Sequence, residues 1–206
     1  MDDIVAGRNV SRETYDDLRS FADLVQKWTP KINLISKSSV PHIWERHVVD
    51  SAQLYHFPPA KFDHWVDIGS GGGFPGIVMA IYAKSENPTA RFTLIESDQR
   101  KSAFLRNAAR ELKLNVRVLS QRIDEADAQN ADVVSARALA TLSVLLSMSV
   151  QHLLPTGVAL FHKGKRSQAE ISEAQQSWSF DLKEHPSYTD PDARLLVIQR
   201  ISRAGD

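Results

Sequence analysis

The segment Asp67-Ile68-Gly69-Ser70-Gly71-Gly72-Gly73-Phe74-Pro75-Gly76 constrains the fold of this chain more than any other. Five of the eight residues from Gly69 to Gly76 are glycine. An acid closes the apolar run Trp65-Val66, and a second apolar stretch, Ile77 to Ala83, follows the turn. That order reads as strand, tight turn and helix. Glycine allows φ > 0 and lets the main chain approach a ligand closely. The helix then presents unpaired N–H groups and its positive end to whatever occupies the turn. Pro75 suits the first helical turn, where its missing N–H costs nothing. A nucleotide-like ligand is the expected occupant. A turn that only tightened a strand–helix corner would have little use for so many glycines, which weaken an element unless something must come close.

From Trp65 onward apolar strands alternate with helices. Strands are expected at Trp65–Ile68, Arg91–Glu96, Val116–Leu119, Asp132–Ala136, Gly157–His162 and Leu195–Ile201, with a further short one near Trp178–Leu182. Helices are expected at Gly76–Ala83, Arg100–Lys113, Leu139–Leu153 and Ser167–Gln176. Such alternation implies a parallel sheet covered on both faces, with ligands outside the carboxyl ends of its strands. Upstream, Tyr15, Leu18, Phe21, Val25 and Trp28 recur at helical spacing, and Thr29-Pro30 is expected to end that helix. Lys31 to Ser39 reads as an ordered loop and Pro41 to Tyr55 as a second helix. Residues 1–60 thus form a helical extension packed on an α/β core of residues 61–206, the two together one compact unit.

Size and composition agree with that picture. A chain of 206 residues is long enough to bury a proper core without staples. Cysteine is absent, which excludes disulfides and thiolate metal sites. The seven histidines show no metal-ligand spacing, so no metal is expected. The start Met1-Asp2-Asp3 is acidic, and no apolar run approaches membrane-spanning length, so a soluble cytoplasmic protein, without membrane contact, is expected. Net charge is zero, but its distribution is uneven: residues 91–122 carry eight bases against three acids. A neutral protein with one basic face remains an RNA-binding candidate.

Two details decide what the glycine turn holds. Gly71, Gly73 and Gly76 match the dinucleotide fingerprint, and Glu96 lies twenty residues beyond Gly76, where a ribose-binding acid belongs. Asp67, however, stands where a pyrophosphate would be repelled, and a dinucleotide needs a second mononucleotide-binding half that this chain is too short to offer. S-adenosylmethionine (SAM) has one ribose, no phosphate and a net positive charge, so acids at 67 and 96 both suit it. Glu96, with Ser97 beside it, closes the second strand and can accept both ribose hydroxyls. Gln121-Arg122-Ile123-Asp124 follows the third strand, where Asp124 and nearby amides can read adenine. Ser135-Ala136-Arg137-Ala138 ends the fourth strand, at the rim of the expected site.

With these segments in view the chain resembles the RsmG (GidB) family, bacterial methyltransferases that modify 16S ribosomal RNA. The resemblance covers nearly the whole chain. It is carried by Asn33-Leu34-Ile35-Ser36, Arg46-His47-x-x-Asp50-Ser51, Gly73-Phe74-Pro75-Gly76, Glu96-Ser97, Arg100-Lys101 and Ser135-Ala136-Arg137-Ala138. Where the family reads Ser-Arg-Ala, this chain has an alanine inserted between Ser135 and Arg137. The resemblance implies a Rossmann-like class I SAM-dependent methyltransferase: a seven-stranded, mostly parallel sheet, helices on both faces and an N-terminal helical addition. It implies SAM contacts at Gly69, Phe74, Ile123, Asp124 and Arg137, to which the residues themselves add Asp67, Ser70, Gly71, Glu96 and Ser97. The implied reaction is methylation of ring nitrogen 7 of a guanine in 16S RNA, near the decoding site.

That nitrogen carries a lone pair and no proton, so no general base and no catalytic triad are expected. Arg137 is the expected positioning residue. RNA phosphates call for basic side chains, and Arg100, Lys101, Lys163, Lys165 and Arg166 surround the expected site. His47 and Asp50, three residues apart, share a helical face; a helix-stabilising pair and a role for His47 in closing the site or contacting RNA are both open. The partner is 16S RNA or the small subunit, and the protein is expected to act as a monomer. Three other readings stay open: a SAM enzyme with a non-RNA substrate, an NAD-dependent oxidoreductase, and a non-catalytic RNA-binding module.

Overall fold

The computed structural model describes residues 3–205; Met1 and Asp2 of the acidic start lie outside them. The chain opens with a small hairpin, β1 (Asp3–Val5) and β2 (Arg8–Val10), then α1 (Arg12–Ile32). A run of short helical turns follows: 3-10 at Lys37–His42, π at Trp44–Val49, α2 (Asp50–Ala52) and 3-10 at Gln53–His56. The core then alternates β3 (His64–Ile68), α3 (Gly76–Glu86), β4 (Arg91–Ile95), α4 (Gln99–Glu111), β5 (Val116–Leu119), β6 (Ala131–Arg137), α5 (Leu142–His152), β7 (Leu153–Lys163), α6 (Ser167–Ala174), β8 (Trp178–Pro186) and β9 (Arg194–Arg203). Seven strands form one sheet in the order β5-β4-β3-β6-β7-β9-β8. The pairs from β5 to β7 are parallel, and β9 runs antiparallel to both its neighbours.

Strand β3 is buried at all five positions, as a central strand covered on both faces must be. Its alternate side chains serve two cores. Trp65 joins Phe92, Phe104 and Phe21 under α1, α3 and α4, while Val66 and Ile68 join Leu142, Leu146 and Ile171 under α5 and α6. Helix α3 is buried all round from Gly76 to Ala83, which explains its unbroken apolar sequence. The sheet covers one side of it; α1, α2 and the following 3-10 turn cover the other. The first 60 residues therefore seal α3.

Several boundaries differ from the sequence reading, for identifiable reasons. Helix α1 passes through Pro30 to Ile32 and ends at Asn33, which is left-handed at φ 49°. Pro30 removes an amide that would have bonded the carbonyl of exposed Gln26, a group water can serve, so the proline is tolerated in the last turn. The second helix expected over Pro41–Tyr55 is a chain of 3-10, π and α turns instead. Strand β8 is longer than expected because its second half, Lys183-Glu184-His185, is a polar edge segment that hydropathy does not reveal. The β1–β2 hairpin was not foreseen; its two turn residues, Ala6 and Gly7, both have positive φ, as a two-residue hairpin loop demands.

Phe21 ties the extension to the core. It is fully buried, its ring lies 5.1 Å from Phe74 and 6.4 Å from Phe104, and it packs against the backbone of Gly73. Phe21→Ala is expected to cost about 3–5 kcal/mol of stability, read from urea denaturation.

Candidate functional site

A cavity of about 550 Å³ opens at the carboxyl ends of β3, β4 and β6. Of the residues expected at a cofactor, Gly69, Ser70, Gly71, Phe74, Glu96, Ser97, Ile123, Asp124 and Arg137 all line it. Its size falls in the range of small-ligand sites. The position is the switch point, where β4 and β6 flank β3 on opposite sides.

Asp67 stands behind the glycine turn, not on the cavity wall. It is 1% exposed, its Oδ1 accepts from Ser135 Oγ at 2.6 Å, and Trp65 Nε1 donates to the same hydroxyl at 2.8 Å. Its Oδ2 lies beneath Gly76, where any Cβ would approach it to 2.7 Å. That residue must be glycine. The carboxylate thus already faces the positive end of α3, leaving that end unavailable to a pyrophosphate. Ser135 owes its role to this chain of contacts. The expected alanine insertion is no bulge: Ser135, Ala136 and Arg137 pair in unbroken register with Leu160, Phe161 and His162.

Glu96, unlike Asp67, lines the cavity. Its Oε2 accepts from the Gly71 amide and its Oε1 from the Asp98 amide, each at 2.8 Å. Gly71 turns that amide toward β4 by adopting φ +53°. Each carboxylate oxygen retains a lone pair for a further donor. Ile123 and Asp124 sit on a 3-10 turn after β5, and Asp124 pairs with Arg122 at 3.1 Å on the exposed rim.

Arg137 closes the opposite side. Its Nε pairs with Asp50 Oδ2 at 3.1 Å, Nη1 donates to His47 Nδ1 at 2.8 Å and Nη2 to the Arg46 carbonyl at 2.6 Å. All three partners belong to the short helical turns, and the π-helical stretch brings them to one point, a common use of such turns at functional sites. Arginine only donates, so the His47 proton resides on Nε2. Burial, then the Arg137 charge, pushes His47 down to about 4. It is a neutral ring, tilted against Phe74 with the ring centres 5.0 Å apart on the cavity wall.

The expected RNA-binding residues divide. Lys101 lines the cavity, and exposed Arg100 borders an adjoining groove with Lys31 and Lys37. Lys165 and Arg166 are exposed on the turn after β7. Lys163 is not available to phosphate: its ammonium pairs with Glu170 at 2.5 Å, donates to the Ala140 carbonyl at 2.7 Å, and its side chain is 9% exposed. The reason is tertiary, since Glu170 comes from α6 and also caps the Leu142 amide. Five apolar wall residues were missed: Leu34, Ile35, Ile95, Leu139 and Met148. Only Leu34-Ile35, an apolar pair within a polar stretch, left a signal in the sequence. Asp50 as the partner of Arg137 was also missed.

An acid-flanked glycine cradle at the switch point of this sheet defines a Rossmann-like, SAM-dependent methyltransferase. Solved structures share the fold. TYW2 of M. jannaschii, in complex with AdoMet, matches with a TM-score of 0.56 at 15% identity, over 82% of this chain and 78% of its own. The O-methyltransferase TomG of Streptomyces achromogenes, in complex with SAM, matches at 0.58 and 12%, over 89% of each chain. Sequence relatives are far nearer. Residues 14–196 match the family described as rRNA small subunit methyltransferase G. The ribosomal RNA small subunit methyltransferase G of Cereibacter sphaeroides is 50% identical over 97% of both chains, and that of Ruegeria pomeroyi 50% identical over 95% of both. The chain belongs to the rRNA small subunit methyltransferase G family.

Burial raises the Asp67 carboxyl from 3.8 to about 6, against the pull of Ser135, Ser70 and Gly76. The folded protein therefore holds this proton between about pH 4 and pH 6 after the unfolded chain has released it. That contribution to stability is full at the acid end and is lost as pH rises through 6. Asp67→Asn, which keeps an oxygen for Ser135, removes the loss. Relative to the parent, the variant should gain on the order of 3 kcal/mol between pH 4 and pH 6, measured by urea denaturation across that range.

Proposed function

We propose that this protein transfers a methyl group from SAM to ring nitrogen 7 of a guanine in 16S ribosomal RNA. It acts in the cytoplasm as a monomer, on the small subunit or its RNA, with residues 1–60 and 61–206 working as one unit. One observation carries the reading: Arg137 borders both the acid-lined cavity and a second cavity of about 420 Å³ beside the basic turn after β7. A methyl donor in the first and a base in the second would meet at that arginine.

The residues fit the cofactor. Glu96 receives the ribose hydroxyls, Ile123 and Asp124 the adenine edge, and Phe74 and Leu139 supply apolar walls. Arg137 faces the carboxylate of the methionine end. When bound, SAM supplies a methyl group activated by a sulfonium. The protein's part is to hold nitrogen, methyl and sulfur in line, an effect worth up to roughly 7–11 kcal/mol. Guanine nitrogen 7 has no proton to lose, so Arg137 positions and no base is required. Arg100, Lys101, Lys165 and Arg166 hold phosphates around the mouth.

Labelled SAM incubated with small subunits lacking the modification should label one guanine, and 7-deazaguanosine at that position should abolish the label. Transfer to another base, or none at all, refutes the assignment. Arg137→Lys should weaken S-adenosylhomocysteine binding about tenfold or more, because an ammonium cannot replace the three-way fork. Binding of 5′-methylthioadenosine, which lacks the carboxylate, should change little; calorimetry with both ligands checks this.

A further inference from the structure

The second cavity lies at the carboxyl ends of β6 and β7 and is closed on its far side by the loop between β8 and β9. Its polar lining is uneven. Arg137, on the wall shared with the cofactor cavity, Arg46 and the Glu170-paired Lys163 bring N–H donors, whereas Asp190 and Thr189 on the β8–β9 loop bring oxygens. Asp190 belongs only to this cavity and is exposed, and its Oδ1 accepts from the Asp192 amide at 2.9 Å. His162, 8% exposed, is fixed from within the chain, its Nε2 donating to the Asp50 carbonyl at 2.8 Å.

One carboxylate sets the spacing of the two walls. Asp50 Oδ2 holds Arg137, while Asp50 Oδ1 accepts from Thr189 Oγ1 at 2.6 Å. Gln53, next to it, accepts from the Tyr188 amide at 2.7 Å. The arginine and the Asp190 loop are thus fixed relative to each other through a single side chain.

A carboxylate on the wall of an RNA-binding cavity repels phosphate but welcomes a base edge rich in N–H groups. Guanine has that polarity. Its O6 and N7 acceptors share one edge, and N1–H and the 2-amino group form the other. With N7 toward the methyl donor, O6 falls beside Arg137 and the donor edge points away, toward the loop. Adenine would set its 6-amino group against the guanidinium. We propose that this cavity seats the target base and selects guanine by its donor edge, with Asp190 accepting from N1–H and the 2-amino group while Arg137 donates to O6. The inference rests on the methyl-transfer reading above.

The test uses small subunits reconstituted with guanosine or inosine at the target position, inosine lacking only the 2-amino group. For the parent protein, kcat/KM for methyl transfer should favour guanosine by roughly tenfold or more, the worth of one hydrogen bond to a charged group. Asp190→Ala removes two hydrogen bonds to guanosine and one to inosine, so it should lose roughly a hundredfold or more on guanosine and about tenfold less than that on inosine, with S-adenosylhomocysteine affinity unchanged by calorimetry. A parent indifferent to the 2-amino group, or a variant that loses equally on both substrates or on neither, overturns the inference while leaving the methyl-transfer reading intact. A parent that methylates neither substrate overturns both.

Discussion

The guanidinium of Arg137 is the point through which the two parts of the chain are joined at the site. Its side chain is 20% exposed, and each of its three nitrogens meets a different partner from the helical turns: a carboxylate, an imidazole and a carbonyl. A charge so far from water is tolerable only when its hydrogen bonds are made. The end of β6 therefore stays in place only while residues 46–50 do. Asp50 extends the constraint, since the same carboxylate also holds Thr189. Breaking a buried pair of this kind by removing one partner typically costs about 3–5 kcal/mol, and here the damage would reach both cavities.

The two acids flanking the glycine turn divide the work between them. Asp67 shapes the turn from beneath, tied to Ser135 and pressed under Gly76. Glu96 holds the turn from the side through the Gly71 amide and faces outward. Burial favours a proton on the first, whereas the second keeps its oxygens for amides and for ligand. Two carboxylates at neighbouring strand ends thus differ in role because one is enclosed and the other lies on a cavity wall.

The alternation of strand and helix, the glycine turn and its position at the switch point were legible in the sequence because each rests on local rules: hydrophobic period, glycine's freedom at φ > 0, and the acid at a strand end. Glu96, Ile123, Asp124 and Arg137 could be placed at the cavity for the same reason, since strand ends in a parallel sheet share one edge. The uninterrupted apolar run of α3 was also visible, although not what covered it. Lys163 read as a free cation because its partner, Glu170, lies on a later helix and no local pattern couples them.

The sequence by itself determined the sheet's layered class, the cradle and the acids on its two flanks, because nearest-neighbour sterics and periodicity govern those features. Only the tertiary structure decided that Asp67 is enclosed while Glu96 lines the cavity, and that Lys163 is paired by α6. It alone decided that Asp50, in a stretch of irregular helical turns, anchors an arginine 87 positions away in the chain. Those outcomes depend on which charges meet in a space shielded from water, and such meetings are set by how distant elements pack.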